Sequence, residues 1–281
     1  FKADDGIRDR SPSRWLGDVY KRQEFSPDGH ALSAPYLFCR HWFQREQPDG
    51  REVLDFGCGA RALSVDILKE TGAVLTGVDI SPESIRSASD RARRTPGFEK
   101  SRFDVSDCEA LPYEDNSFDY VLSLGTLSCI DLDSAYAEMR RVLKPEGSVF
   151  IVDTLGHNVL FNLSRRLKLI RGKKMAWTVA HVRMMADFES AGRYFGSVQT
   201  RFFDLITPFL VPALSTIPGP SPHLLRLCWS ADRILLRALP FALRVQALKI
   251  ACILTQPAKY CLLYTSDAAD EGLGVDLGGR R

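Results

Sequence analysis

Several absences narrow the reading before any motif is considered. Seven cysteines occur in 281 residues, yet none forms a CxxC pair or a His/Cys cluster, so neither a zinc site nor a disulfide framework is expected. The scattered thiols instead fit a reducing compartment. No apolar run approaches the ~18 residues of a membrane-spanning helix. Neither sign of charge dominates, with 37 Lys and Arg against 35 Asp and Glu and a formal net charge of +2, so bulk charge gives no reason to expect nucleic acid as a partner. Internal repeats, low-complexity tracts and any legible nucleophile or triad are also missing.

The two ends read unlike the middle. DVYKRQ (18–23) can be encoded GAT GTG TAT AAG AGA CAG, and the reverse complement read one base over translates to CLLYTS (261–266). Both ends resemble a transposon-end adapter of the kind used in sequencing libraries. Residues 1–23 and 261–281 are therefore set aside as non-native tails expected to be disordered. What remains, 24–260, suits one domain with a sizeable core.

From residue 53 onward, short apolar runs alternate with longer amphipathic ones, which is the pattern of a parallel sheet covered by helices. Strands are expected at 53–56, 74–79, 102–105, 119–124 and 148–153, and later at 198–203 and 247–254. Helices are expected at 31–44, 63–71, 82–94 and 133–143. Ser81 before Pro82 supplies an N-cap with proline in the first helical position, and KPEG (144–147) reads as a turn. Two stretches, 154–186 and 204–244, interrupt the alternation. Insertions that late in such a sheet commonly roof a ligand, because binding happens at the carboxyl ends of the strands.

The segment REVLDFGCGARALS (51–64) reads as a strand, a glycine-rich turn and a helix start. Gly57, Gly59 and Ala62 satisfy the G-x-G-x-x-G/A pattern, with Asp79 at about the spacing of a dinucleotide site. That match alone is weak. Asp55, two residues ahead of the first glycine, would repel a pyrophosphate but suits the cationic amino-acid portion of S-adenosylmethionine.

VLDFGCGAR (53–61), GVDIS (77–81), DCEALPYEDNSFDYVLS (107–123) and RVLKPEG (141–147) occur in order and at the usual spacing. In these four motifs the chain resembles the class I S-adenosylmethionine-dependent methyltransferases, in the branch that includes quinone-biosynthesis enzymes. The resemblance implies a Rossmann-like, doubly wound, mostly parallel seven-stranded α/β sheet with helices on both faces, the last strand antiparallel and the late insertions forming a roof. It divides the domain into a helical cover (24–51), a cofactor-binding half (52–153) and a substrate side (154–260).

It also implies that Asp55, Gly57 and Gly59 form the loop for the donor S-adenosylmethionine and that Asp79 accepts from both ribose hydroxyls. Ile80 would pack on the adenine, Asp107 would accept from its amine, the Cys108 backbone would meet the ring edge, and Leu124 and Gly125 would line the sulfonium. One position departs from the family, since Arg61 stands where a third glycine is usual.

Methyl transfer needs a base only if the acceptor must lose a proton. His157 and His181 are the candidates, and a structural hydrogen bond or helix cap is the competing reading for each. The acceptor is expected to be a small or lipid-linked molecule methylated at oxygen or carbon, and no metal is implied. Alternatives left open are a glycan acceptor, an NAD(P)-dependent oxidoreductase and a non-catalytic donor-binding module. SRRLKLIRGKK (164–174) and LITPFLVPALSTI (205–217) fit either peripheral membrane contact by a cytoplasmic protein or a solvated basic face beside a core segment. Phe202, Phe203 and Phe209 fit either an aromatic acceptor or core packing.

Overall fold

The computed structural model describes residues 33–170, 182–208 and 222–257. Both tails, His181 and Phe209 lie outside that set. Seven strands form one sheet in the order β3-β2-β1-β4-β5-β7-β6. They are β1 (Glu52–Phe56), β2 (Val74–Asp79), β3 (Arg102–Val105), β4 (Phe118–Leu124), β5 (Leu143–Thr154), β6 (Phe195–Phe203) and β7 (Lys249–Pro257). Pairing is parallel from β3 through β5, and β7 runs antiparallel to both β5 and β6. The single reversed strand is the one expected from the resemblance.

Helices cover both faces. On one face lie α1 (Ala34–Glu46), α2 (Leu63–Leu68) and α3 (Pro82–Arg93), burying Cys39, Phe43, Val65, Leu68, Ile85 and Ala88 against Val53, Leu75, Leu122 and Phe150. α4 (Leu132–Val142) and the short α6 (Met185–Glu189) cover the other, with Tyr136, Met139 and Phe188 packed on Leu54, Val121 and Ile151. Burying a large apolar side chain of this kind is worth roughly 2 kcal/mol. The insertions after β5 and β6 supply α5 (Val159–Ile170), α7 (Pro222–Ala238) and α8 (Phe241–Arg244).

Local chemistry explains the boundaries. α3 starts because the Ser81 hydroxyl accepts from the Ser84 amide at 3.2 Å and Pro82 opens the first turn. Asp131 caps α4 in the same way, accepting from the Ser134 amide at 2.9 Å. α2 is shorter than the expected 63–71, because Lys69 turns extended and Glu70 adopts a left-handed φ of 68°. KPEG is not a free turn between helix and strand. Pairing begins at Leu143, opposite Phe118, and resumes at Ser148, opposite Tyr120, so residues 144–147 bulge out within β5. Gly147 is needed there, since a Cβ would lie 2.8 Å from the Asp119 carbonyl oxygen.

Candidate functional site at the carboxyl ends of β1, β2 and β4

Side chains alternate along a strand, so register fixes which carboxylates share a face. Asp55 pairs with Gly77 in β2, two residues before Asp79, which puts both acids on the face covered by α1 and α2. Asp55 is 1% exposed and Asp79 is 6% exposed. The Asp55 Oδ2 accepts from the Ser64 hydroxyl on α2, while its Oδ1 is buried with no hydrogen-bond partner among the described residues. Burial pushes the Asp55 carboxyl up to about 7; Ser64 works against that rise and the neighbouring Asp79 adds to it. Asp79 is also raised by burial, although the amides of Ser81 and Gly59 hold it back. Those amides donate to its two oxygens at 2.8 and 3.0 Å.

The glycine turn is shaped by the same contacts. Cys58 N–H donates to the Val78 carbonyl at 2.8 Å, continuing the β1–β2 ladder past Phe56. Gly57 has φ 78°, and a Cβ there would lie 2.3 Å from the Thr126 methyl, so only glycine lets the loop after β4 close over the turn. The Thr126 hydroxyl donates to the Gly57 carbonyl at 3.1 Å. Gly59 and Ala62 are also left-handed, at φ 58° and 39°, but Arg61 is not. The position where the family has its third glycine therefore makes no left-handed demand on this backbone. Arg61 is half-buried.

The other expected donor contacts gather nearby. The Ser106 amide donates to the Asp79 carbonyl at 3.1 Å, carrying the chain past β3 so that Asp107 and Cys108 follow beside β2. Asp107 is exposed and accepts from the Glu109 amide at 2.9 Å. Cys108 is buried, and burial raises its thiol, with Asp79 adding to the effect. Ile80 and Leu124 are half-buried and Gly125 is exposed with φ 81°. The Gly125 amide donates to the Val152 carbonyl at 2.8 Å, tying the end of β4 to β5.

His157 sits in the loop after β5, where its Nε2 accepts from the Met185 amide at 3.0 Å at the start of α6. That contact matches the helix-cap reading and occupies one ring nitrogen. Three participants were not singled out from sequence. Ser64 and Thr126 carried no motif signal of their own. Asp153 ends a recognisable strand but was read only as its boundary. It is 2% exposed, its Oδ2 accepts from the Leu127 amide at 3.1 Å, and burial raises it while Lys249 opposes. Arg183 donates to the carbonyls of Leu127 and Ile130, locking the loop after β4 to the insertion after β5.

Residues 54–151 match the family described as a methyltransferase domain. Over those residues, about a third of its length, the chain is similar to methyltransferase domains. It is 34% identical over 112 residues to "Methyltransferase GfsG" of Streptomyces halstedii, covering 40% of each chain. It is 36% identical over 137 residues to "Ubiquinone/menaquinone biosynthesis C-methyltransferase UbiE" of Acidiphilium cryptum, covering 48% of this chain and 55% of that one. The chain thus spans about half or less of the length of these curated relatives. Among solved structures it is similar to a sarcosine dimethylglycine methyltransferase of Galdieria sulphuraria, with a TM-score of 0.53, 16% identity and coverage of 86% of this chain and 96% of that one, a likeness of fold. The matched span covers the strands that bear Asp55, Asp79 and Leu124 and the loop that bears Asp107. His157 and the helical insertions fall outside it.

Proposed function

We propose that the crevice at the ends of β1, β2 and β4 binds S-adenosylmethionine and that the chain transfers its methyl group to a small-molecule or lipid-linked acceptor, at carbon or oxygen. One observation carries this reading. Asp55 and Asp79 are buried on one face, Asp79 disfavours the ionisation of Asp55, and Asp55 keeps one oxygen with no hydrogen-bond partner among the described residues. Two buried carboxylates so close are costly unless a cationic ligand uses them. The bound donor would supply a methyl group already activated by a sulfonium.

What remains for this chain is positioning and exclusion of water. Asp55 would take the donor's ammonium on its open oxygen. Asp79 keeps a second lone pair on each oxygen after accepting from Gly59 and Ser81, enough for two ribose hydroxyls. Ile80, Asp107 and the Cys108 backbone would hold the adenine, with Leu124 and Gly125 beside the reacting centre. With Nε2 accepting from the Met185 amide, the neutral ring carries its proton on Nδ1, so His157 would serve as a base only after Nε2 releases that amide. The Acidiphilium relative's name supports carbon methylation of a quinone-like acceptor.

Calorimetric titration of the chain with S-adenosylhomocysteine and with NAD tests the reading. Binding of the first alone is expected. A chain that takes NAD instead is an oxidoreductase, and donor binding without turnover on any cell extract would make it a non-catalytic module.

A further inference from the structure

A cavity lies away from Asp55 and Asp79, between α1, β6, α7 and α8, with a volume of about 750 Å³, the size of a drug-like ligand's site. Its walls are largely aromatic and aliphatic, including Phe38, Phe203, Trp229, Leu236 and Phe241. Four arginines also line it, Arg244 on α8 and three others, Arg201 on β6 and Arg233 and Arg237, one turn apart on α7. Among the described residues, none of the three makes a salt bridge. The Arg201 guanidinium instead sits 4.5 Å from the centroid of the Phe38 ring, and that ring packs on Phe203 at 5.5 Å.

Two carboxylates share the lining, but both have partners of their own. Asp232 accepts from the amides of Ile206 and Thr207 and from the Thr207 hydroxyl. Asp204 lies within the electrostatic reach of Lys249. Arg244 donates to the Leu239 carbonyl at 2.6 Å and serves as a cap. The cleft therefore has an apolar body and a cationic rim whose three guanidinium groups make no salt bridge among the described residues, beside two acids bound to other groups, a combination that suits an amphipathic anion.

We propose that this cleft holds the anionic end of an elongated, apolar-bodied molecule bearing a carboxylate, sulfonate or phosphate. Resting on the methyl-transfer reading above, that molecule is the acceptor. The sheet order sets its length. β6 stands four strand spacings from β1, or roughly 19 Å at about 4.8 Å each, so a molecule anchored in the cleft and reaching the donor is a long chain or a linear fused-ring system, not a single ring.

Fluorescence titration of the full chain with two dyes tests this. 1-Anilinonaphthalene-8-sulfonate is an apolar anion, and N-phenyl-1-naphthylamine has the same body without the charge. The sulfonate dye is expected to bind saturably, roughly tenfold or more weakly in Arg233→Gln/Arg237→Gln, and more weakly again in Arg201→Gln. The neutral dye should bind all of these alike, and Arg86→Gln/Arg94→Gln, on α3 and at its C-cap, should match the unaltered chain. Saturating S-adenosylhomocysteine should not displace the sulfonate dye. Unchanged sulfonate affinity in the α7 variant, an equal loss in the α3 variant, or displacement by S-adenosylhomocysteine would overturn the proposal. Arginine-dependent dye binding in a chain that gives no heat with S-adenosylhomocysteine would support the cleft and sink the methyl-transfer reading.

Discussion

Asp119 and Asp55 stand at opposite ends of the central strands and live in opposite surroundings. At the amino end, Asp119 accepts from Arg51 at 3.0 Å, from the Glu52 amide at 3.0 Å and from Lys144 at 2.8 Å. Burial alone would raise its carboxyl, but Lys144, the Glu52 amide and Arg51 together hold it below the ordinary value. At the carboxyl end, Asp55 has one hydroxyl donor, an orphan oxygen and an acidic neighbour, and it is held near neutrality. One acid is fully provided for by the fold and the other is kept in want of a cation. On the proposed function, that asymmetry would separate a carboxylate that stabilises the protein from one kept for a ligand.

The contrast can be broken in graded steps. Asp79→Ala should have the largest effect, weakening S-adenosylhomocysteine binding at least about a hundredfold by calorimetry, because the variant loses the ribose acceptor and the anchor of the Gly59 amide. Asp119→Ala should leave donor affinity unchanged but lower stability by about 2 kcal/mol in urea unfolding, since two cations and an amide lose their acceptor. Its folded carboxyl is depressed, so the wild-type contribution is present above about pH 4 and fades as the pH falls further.

Asp55→Asn should move stability the other way. A carboxyl raised in the folded state keeps its proton there while the unfolded chain loses its own, so wild-type stability falls as pH rises from about 4 to about 7 and is level above that. The asparagine variant escapes this. It should be more stable than wild type by about 2 kcal/mol at pH 8, with the gain shrinking towards pH 4, as read by thermal unfolding. The same variant should bind the donor more weakly. His157→Ala should be the mildest change, costing about 1 kcal/mol for the lost contact to the Met185 amide and sparing donor affinity.

Much of this was legible in the sequence, and the legible part is the part with period and punctuation. Strands β1, β2, β4 and β5 carry apolar runs bounded by glycine, proline or aspartate, and α3 announces itself through Ser81 and Pro82. The glycine turn was legible because a turn that admits only small residues leaves a spaced signature. Ser64 and Thr126 were not found, since a hydroxyl aimed at a carboxylate or packed against a glycine has no sequence period and is specified by the close approach of two elements. The bulge at 144–147 read as a turn because proline and glycine serve both. Arg233 and Arg237 lie in the stretch 204–244 that interrupts the alternation and carry no motif, and only their placement opposite Phe38 and Arg201 gives them a cavity to serve.

The most direct test of the central claim is the proton balance of donor binding. S-adenosylhomocysteine should be titrated at pH 6.5 in buffers of differing ionisation enthalpy, into the unaltered chain and into Asp55→Asn. If the buried carboxylate waits for the donor's ammonium, the unaltered chain should release more than about half a proton on binding relative to Asp55→Asn, as Asp55 ionises against its new partner. Equal proton balance in the two proteins, with equal affinity, would show that Asp55 does not meet the donor.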